Sequence, residues 1–416
     1  MIIRKNYLYA AFAVAAFMLS SCKDNDEPEI PGSSLEAKSY TTETLAFTID
    51  GRTAENQIVA FTPAENGKGT ITIQSTPLDL SEIIGGVMTA ADNSGALTIP
   101  TAGIIPGSPK VEIPVVLTGS DNECSFTGSS ESTYCTFSYS GKISAEKLSF
   151  DLTDVKLKNT SLAGTWYVPT LNNNAFDQLR VKWQAEKQVE LMPGYGMPVE
   201  TILGMTFVMP ILPGEESGKN VSLLQMYTML LNNVTFGEDG SVTALYTDLD
   251  AETPGQAEAP KGLAQYVVAD DNTIRLFLDP YAIIKATMTL ARSRAIDTTA
   301  MIEGLLTQLI PMLSNGIPLH YGAALLDPEG NVNEDANVKS FYLGTETLLP
   351  ILETVKPLFA DEEFVNSIIE IAGSNPDMGA LAPMLGGILK SMPEIIDTTS
   401  KIEIGVNLSK VKPSAE

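Results

Sequence analysis

Lys147-Leu148-Ser149-Phe150-Asp151-Leu152 alternates polar and apolar side chains. Period two marks a half-buried strand, because successive Cβ atoms point to opposite faces of a sheet. The same alternation runs through residues 44–160. It predicts strands at Leu45–Ile49, Gln57–Thr62, Gly69–Gln74, Ala96–Ile99, Val111–Leu117, Cys124–Thr127, Tyr134–Tyr139 and Leu148–Val155. Turn residues separate several of them, at Asp50-Gly51, Glu65-Asn66-Gly67 and Ser140-Gly141-Lys142. About eight antiparallel strands in ~115 residues suggest a sandwich or a small barrel.

Downstream, residues 161–416 form a second unit that mixes strands with helices. Strands are expected at Val234–Phe236, Ser241–Tyr246, Gln265–Val268, Thr273–Leu278 and Lys401–Leu408. Helical spacing appears at Val221–Leu231, Ala282–Arg292 and Thr299–Leu313, and at Leu348–Phe359, which Pro350 and Pro357 interrupt. Asp361 is placed to cap Glu362–Ala372, and Asn375-Pro376 opens a last helix toward Lys390. The two units end on similar strands, Lys147–Leu152 and Lys401–Val406, as a diverged tandem would. The expected fold class is mainly β with an α-rich insertion: two antiparallel barrels or sandwiches, the second decorated with helices.

The amino terminus reads as an address. Arg4 and Lys5 precede an apolar run from Tyr7 to Met18, followed by Leu19-Ser20-Ser21-Cys22. A basic start, a short apolar core and small residues at the cut make a signal peptide, residues 1–21. The core falls short of the ~20 residues that span a bilayer. Leu-Ser-Ser-Cys resembles the lipobox of bacterial lipoproteins, which implies that Cys22 is acylated and becomes the first mature residue. Lys23-Asp24-Asn25-Asp26-Glu27-Pro28-Glu29 then resembles the export signal of surface lipoproteins in Bacteroidetes. Residues 22–43 are read as an acidic flexible tether, because such segments bury too little apolar surface to order themselves. The implied location is the outer membrane, on its cell-surface face.

The chain has 416 residues, is 44% hydrophobic and carries a net charge of −25. Removing Arg4 and Lys5 with the leader makes it more acidic still. A body of this sign repels phosphate backbones, so nucleic acid is not an expected partner. With Cys22 assigned to lipid, Cys124 and Cys135 remain, an even number for an oxidising compartment. A hairpin centred on Ser129-Ser130 would set them directly opposite each other, so a structural disulfide is expected.

No constellation names a reaction. His320 is the only histidine and lies in the apolar Gly316–Gly322 stretch, where a packed role is favoured over a catalytic one. Its solitude rules out zinc sites needing two His ligands, and neither a nucleophile elbow nor a phosphate loop occurs. Asp248, Asp250 and Asp279 are candidates for paired-carboxylate glycoside chemistry without a basis for ranking them. The acidic segment Asp327–Asp335 lacks the ligand spacing of a calcium loop. No catalytic residue, metal site or cofactor is assigned, and binding is expected rather than catalysis. Met205, Met209, Met226, Met229, Met288, Met301, Met312, Met378, Met384 and Met392 are spread through the helical region. Methionine suits adaptable apolar surfaces. These helices either pack on the β body or wall an apolar cavity.

Gly164-Thr165-Trp166 at the start of the second unit is similar to the Gly-x-Trp of lipocalin and calycin barrels, where the Trp opens the first strand and closes the barrel floor. With the lipobox, the chain resembles Bacteroidetes surface lipoproteins bearing lipocalin-like domains of unknown function. The expected role is non-enzymatic binding of a hydrophobic small molecule or an envelope partner at a membrane reached through the lipid anchor. The alternative is a glycan-binding or glycan-processing surface lipoprotein, for which Trp166 and Trp183 are the only Trp platforms.

Overall fold

A computed structural model describes residues 30–54, 57–79, 98–99, 103–170, 175–192, 194–213, 220–248, 255–259, 261–279, 312–327, 330–374 and 382–413. Strand outweighs helix, 49% to 23%, so the chain is mainly β. The expected helices Ala282–Arg292 and Thr299–Leu313 fall outside the described residues, except for the end of the second. The Asn375-Pro376 cap, Cys22 and its flanks lie outside them too.

The first unit is a sandwich. One sheet runs in the order Lys38–Tyr40, Gln57–Ala64, Lys68–Ser75, Lys110–Val116. The other runs Arg52–Thr53, Leu45–Ile49, Leu148–Leu157, Cys135–Ser144, Glu123–Glu131, Thr118–Gly119. Alternation does what it predicts: Val111, Ile113 and Val115 are buried while their neighbours on the strand face out. One pairing departs from the antiparallel expectation, since Leu148–Leu157 lies parallel to Leu45–Ile49. The stretch expected as tether enters the fold early, because Leu35 and Tyr40 are buried in this core.

Two expectations about the hairpin are corrected. Glu123–Glu131 and Cys135–Ser144 pair far beyond the expected turns, and Ser140–Lys142 sits inside a strand rather than between two. Gly141 is needed there because the Phe126 ring lies where its Cβ would be, 2.4 Å away. The chain reverses instead at Ser132–Cys135, so Cys124 faces Ile143 while Cys135 faces Leu157 on its other side. The two cysteines are about eight strand positions apart, ~27 Å at the rise of a strand. A disulfide needs Cα atoms within about 7 Å. Both are buried free thiols, and burial pushes the Cys135 thiol up to about 11, which leaves it unreactive.

The second unit holds an eight-stranded closed antiparallel barrel. Its strands are β1 (Gly164–Tyr167), β2 (Leu231–Phe236), β3 (Ser241–Asp248), β4 (Ala264–Val268), β5 (Thr273–Leu278), β6 (Ile317–Ala323), β7 (Val338–Leu343) and β8 (Thr399–Ser409). Each pairs with the next in sequence, and β8 closes on β1 through Tyr167 and Ser409. The upper part of β8 also pairs with a side strand, Leu179–Ala185, in register from Leu179 with Val406. Alternating strand direction puts the turns at 237–240 and 269–272 at one end, the floor. The long connections 168–230, 249–263, 279–316 and 344–398 all leave from the other end, the mouth. The first unit shares neither closure nor strand order with this barrel, so the tandem expectation is not met.

Among the described residues five α-helices accompany the barrel: α1 (Val199–Val208), α2 (Leu223–Leu230), α3 (Thr345–Ala360), α4 (Glu362–Ser374) and α5 (Ala382–Asp397). A small core of Trp183, Val199, Ile202, Met392, Ile395 and Ile402 binds α1 and α5 to the side strand. Asp361 caps α4 as expected, its Oδ1 accepting from the amides of Glu363 and Phe364 at 2.9 and 3.2 Å. The expected break at Pro350 and Pro357 does not occur, and α3 runs through both. Each interior proline costs about 3 kcal/mol. Leu348, Leu349, Leu352 and Phe359, half-buried against the side core, work against that cost.

Candidate ligand-binding site

The floor of the barrel is sealed by aromatics. Trp166 and Tyr266 are fully buried. Trp166 meets Phe341 edge-on at 5.5 Å, and Phe236 stacks on Phe341 at 5.4 Å. Phe236 also meets Tyr266 at 4.9 Å. These pairs bridge strands that are not neighbours, so the rings lie inside the barrel. Trp166 Nε1 donates to the carbonyl of Leu162 at 2.8 Å. The floor rests on the first unit, where the Leu157 amide donates to the Glu238 carbonyl at 2.8 Å. One continuous core therefore runs through both units.

Above the floor the wall changes. Cross-strand pairing assigns Val234, Ala244, Leu276, Leu319, Leu343 and Val406 to the same inward face as the floor rings. All six are only half-buried. Apolar side chains that point inward yet remain partly reached by solvent line the upper barrel, and Val234, Leu319 and Val406 among them pack on the buried core. Eight strands suit this, since such a barrel is just wide enough to be filled by side chains or to hold one small ligand.

The helix α2 sits at the mouth. Ser222 and Gln225 form a reciprocal capping box, Ser222 Oγ accepting from the Gln225 amide and Gln225 Oε1 from the Ser222 amide. That fixes Tyr227 one turn in, where it touches both the barrel core and the Leu179–Val181–Leu224 cluster that includes Val406. Its hydroxyl is buried with no partner among the described residues, and the same holds for Asn232 Nδ2. Burial pushes the Tyr227 phenol well above its ordinary value, so it stays protonated. Met205, Val208, Met229 and Tyr246 are exposed around this end. Of the other methionines, Met392 is core, whereas Met288, Met301 and Met378 lie outside the described residues.

The outer face of the barrel carries the charges. Arg180 Nη2 and Nε donate to Glu403 Oε2 at 2.7 and 2.9 Å, and Nη1 donates to the Ala323 carbonyl at 3.0 Å. The guanidinium lies 4.1 Å over the Tyr342 ring. Lys401 Nζ takes the other Glu403 oxygen at 2.7 Å. Burial alone would raise the Glu403 carboxyl; the hydrogen bonds and charges of Lys401 and Arg180 outweigh it and hold it below the ordinary carboxylate range.

His320 belongs to this outer face, on β6, a strand the sequence did not reveal. It joins Thr273 Oγ1 at 3.2 Å to Glu346 Oε1 at 2.6 Å, tying β5 and β6 to the start of α3. Thr273 Oγ1 also donates to Asn272 Oδ1 at 3.1 Å. Asp248 ends β3 and Asp279 lies just beyond β5, while Asp250 is outside the described residues. Asp327 folds its own loop, Oδ1 accepting from the amides of Gly330 and Asn331. Among the described residues no cluster of three or more His, Cys, Asp or Glu is placed to hold a metal. No family model, curated protein or solved structure matches the chain.

Proposed function

We propose that the protein is a lipid-anchored envelope lipoprotein whose barrel binds an apolar small molecule without catalysing a reaction on it. The observation that carries this is the half-buried apolar wall standing over a sealed aromatic floor. Concave apolar sites with few polar groups are what small-molecule ligands fill. An up-and-down barrel opened by Gly164-Thr165-Trp166 favours a lipocalin-like identity, as an analogy of fold. Both Trp166 and Trp183 are buried, which leaves the glycan alternative without an indole platform.

Protein purified from its native host is expected to release an apolar compound into organic extract, detected by mass spectrometry. Empty protein that also fails to take up a neutral hydrocarbon such as dodecane would sink the binding role. The anchor is tested separately. Cys22→Ser is expected to move the protein from the membrane to the soluble fraction, and unchanged fractionation would count against acylation. The amide of Ser34 is held by Asp121, at the end of the sandwich remote from the barrel floor. An anchor on that side would therefore turn the mouth away from its own bilayer.

A further inference from the structure

We infer that His320 is a proton-dependent clip, which as the imidazolium fastens β5 and β6 to the first turn of α3 and as the neutral ring releases one side. The chain has no other histidine, so no second imidazole contributes to such a response. Hydrogen-bond geometry fixes the hydrogens of the ring. Nε2 stands 2.6 Å from Glu346 Oε1, and an ionised carboxylate offers only lone pairs, so Nε2 must carry a hydrogen. Nδ1 stands 3.2 Å from Thr273 Oγ1. The single hydroxyl hydrogen of Thr273 goes to Asn272 Oδ1 at 3.1 Å, or to the carboxylate of Asp270, which it also reaches. Thr273 therefore presents a lone pair to Nδ1, which must carry a hydrogen as well. A ring with hydrogens on both nitrogens is the cation. Neutral imidazole has one N–H and can keep only one of the two links.

The charges around the ring have the sign that suits a cation. Glu346 comes from α3, and Asp270, with Asp271 beside it, from the turn before β5. The Tyr342 ring on β7 lies 5.5 Å away. Nearby cations are engaged elsewhere: Arg275, on the same face of β5 as Thr273, donates to the Asn315 carbonyl, while Arg180 and Lys401 hold Glu403. On its other side the first turn of α3 is pinned without a proton switch. Thr345 Oγ1 accepts from the Ile402 amide at 2.9 Å and donates to the Ile402 carbonyl at 3.2 Å, on β8. Imidazoles change charge between pH 5 and 8, so the β6 side closes in acid and opens toward pH 9.

A double-mutant cycle on the full chain tests this, with His320→Gln, Glu346→Gln and the pair together unfolded in urea at pH 5.5 and at pH 9. The two side chains are 26% and 58% exposed, so a modest effect is expected. At pH 5.5 they should be coupled by about threefold to fivefold in the unfolding equilibrium, as partly exposed ion pairs are. At pH 9 the coupling should vanish. Thr345→Ala, which unpins the other side, should cost the same at both pH values. No coupling at pH 5.5, equal coupling at both pH values, or a Thr345→Ala loss that changes with pH by as much would each overturn the inference.

Discussion

Truncating Trp166 to alanine is expected to lower stability by about 3–5 kcal/mol, the range for deleting a large aromatic from a packed core. Trp166 is fully buried on the barrel floor and packs edge-on to Phe341. Its Nε1 holds the Leu162 carbonyl, in the short linker that leaves the sandwich. Alanine would leave a cavity the size of an indole beneath Phe236 and Phe341, and it would strip a buried carbonyl of its donor. Lys410 lies 4.9 Å over the same ring and would lose that contact as well. Trp166→Phe keeps part of the volume but not the hydrogen bond, so it should fall between alanine and the native chain. Urea unfolding followed by circular dichroism measures both. Because the core is continuous across the two units, the sandwich and barrel should shift together. A loss below about 1 kcal/mol for alanine, against the expected range, would mean that the floor is not a rigid plug.

Removing Glu403 should be similarly severe, about 3–5 kcal/mol, because it strands the Arg180 charge, which is shielded from water. Removing Arg180 should cost less, since Lys401 still holds Glu403. The side chains are only 11% and 9% exposed. Arg180 links the side strand to β8 through Glu403, to β7 through the Tyr342 ring and to β6 through Ala323. Replacing both together, as Arg180→Met with Glu403→Leu, should recover most of the loss, since apolar side chains of similar volume often serve as well as a buried pair. The pH dependence has a definite sign. The Glu403 carboxyl titrates below its ordinary value of ~4.3, so its contribution is complete above that value and is lost as pH falls through the folded one. The stability gap between the native chain and Glu403→Gln should therefore narrow in acid. A gap that stays constant into the acid range would show that the charge of Glu403 contributes nothing.

The parts of this fold that a reader of the sequence can recover are those set by local pattern. Thr273–Leu278 and Leu45–Ile49 are found to the residue, and Gln265–Val268 nearly so, because each alternates between turn residues. The Asp361 cap is likewise local. By contrast, β6 carries Pro318, His320 and Gly322, which read only as an apolar stretch; pairing with β5 and β7 makes it a strand. The helix α3 survives two prolines only because its apolar face finds Trp183 and Ile402. Of the candidate site, the helical spacing over Val221–Leu231 was legible, but nothing in the chain marked the Ser222–Gln225 capping box or the buried Tyr227 and Asn232 groups.

By itself the sequence determined a two-unit, mainly β chain, because side-chain alternation and turn chemistry act over a few residues. The tertiary structure decided everything that depends on which strands meet. It separated Cys124 from Cys135 by fixing a register that a short turn prediction had shifted. It closed β8 onto β1, joining Tyr167 to Ser409 across most of the second unit. Inside and outside exist only after that closure. The same alternation then yields a sealed floor, a half-buried apolar wall and an outer layer of paired charges.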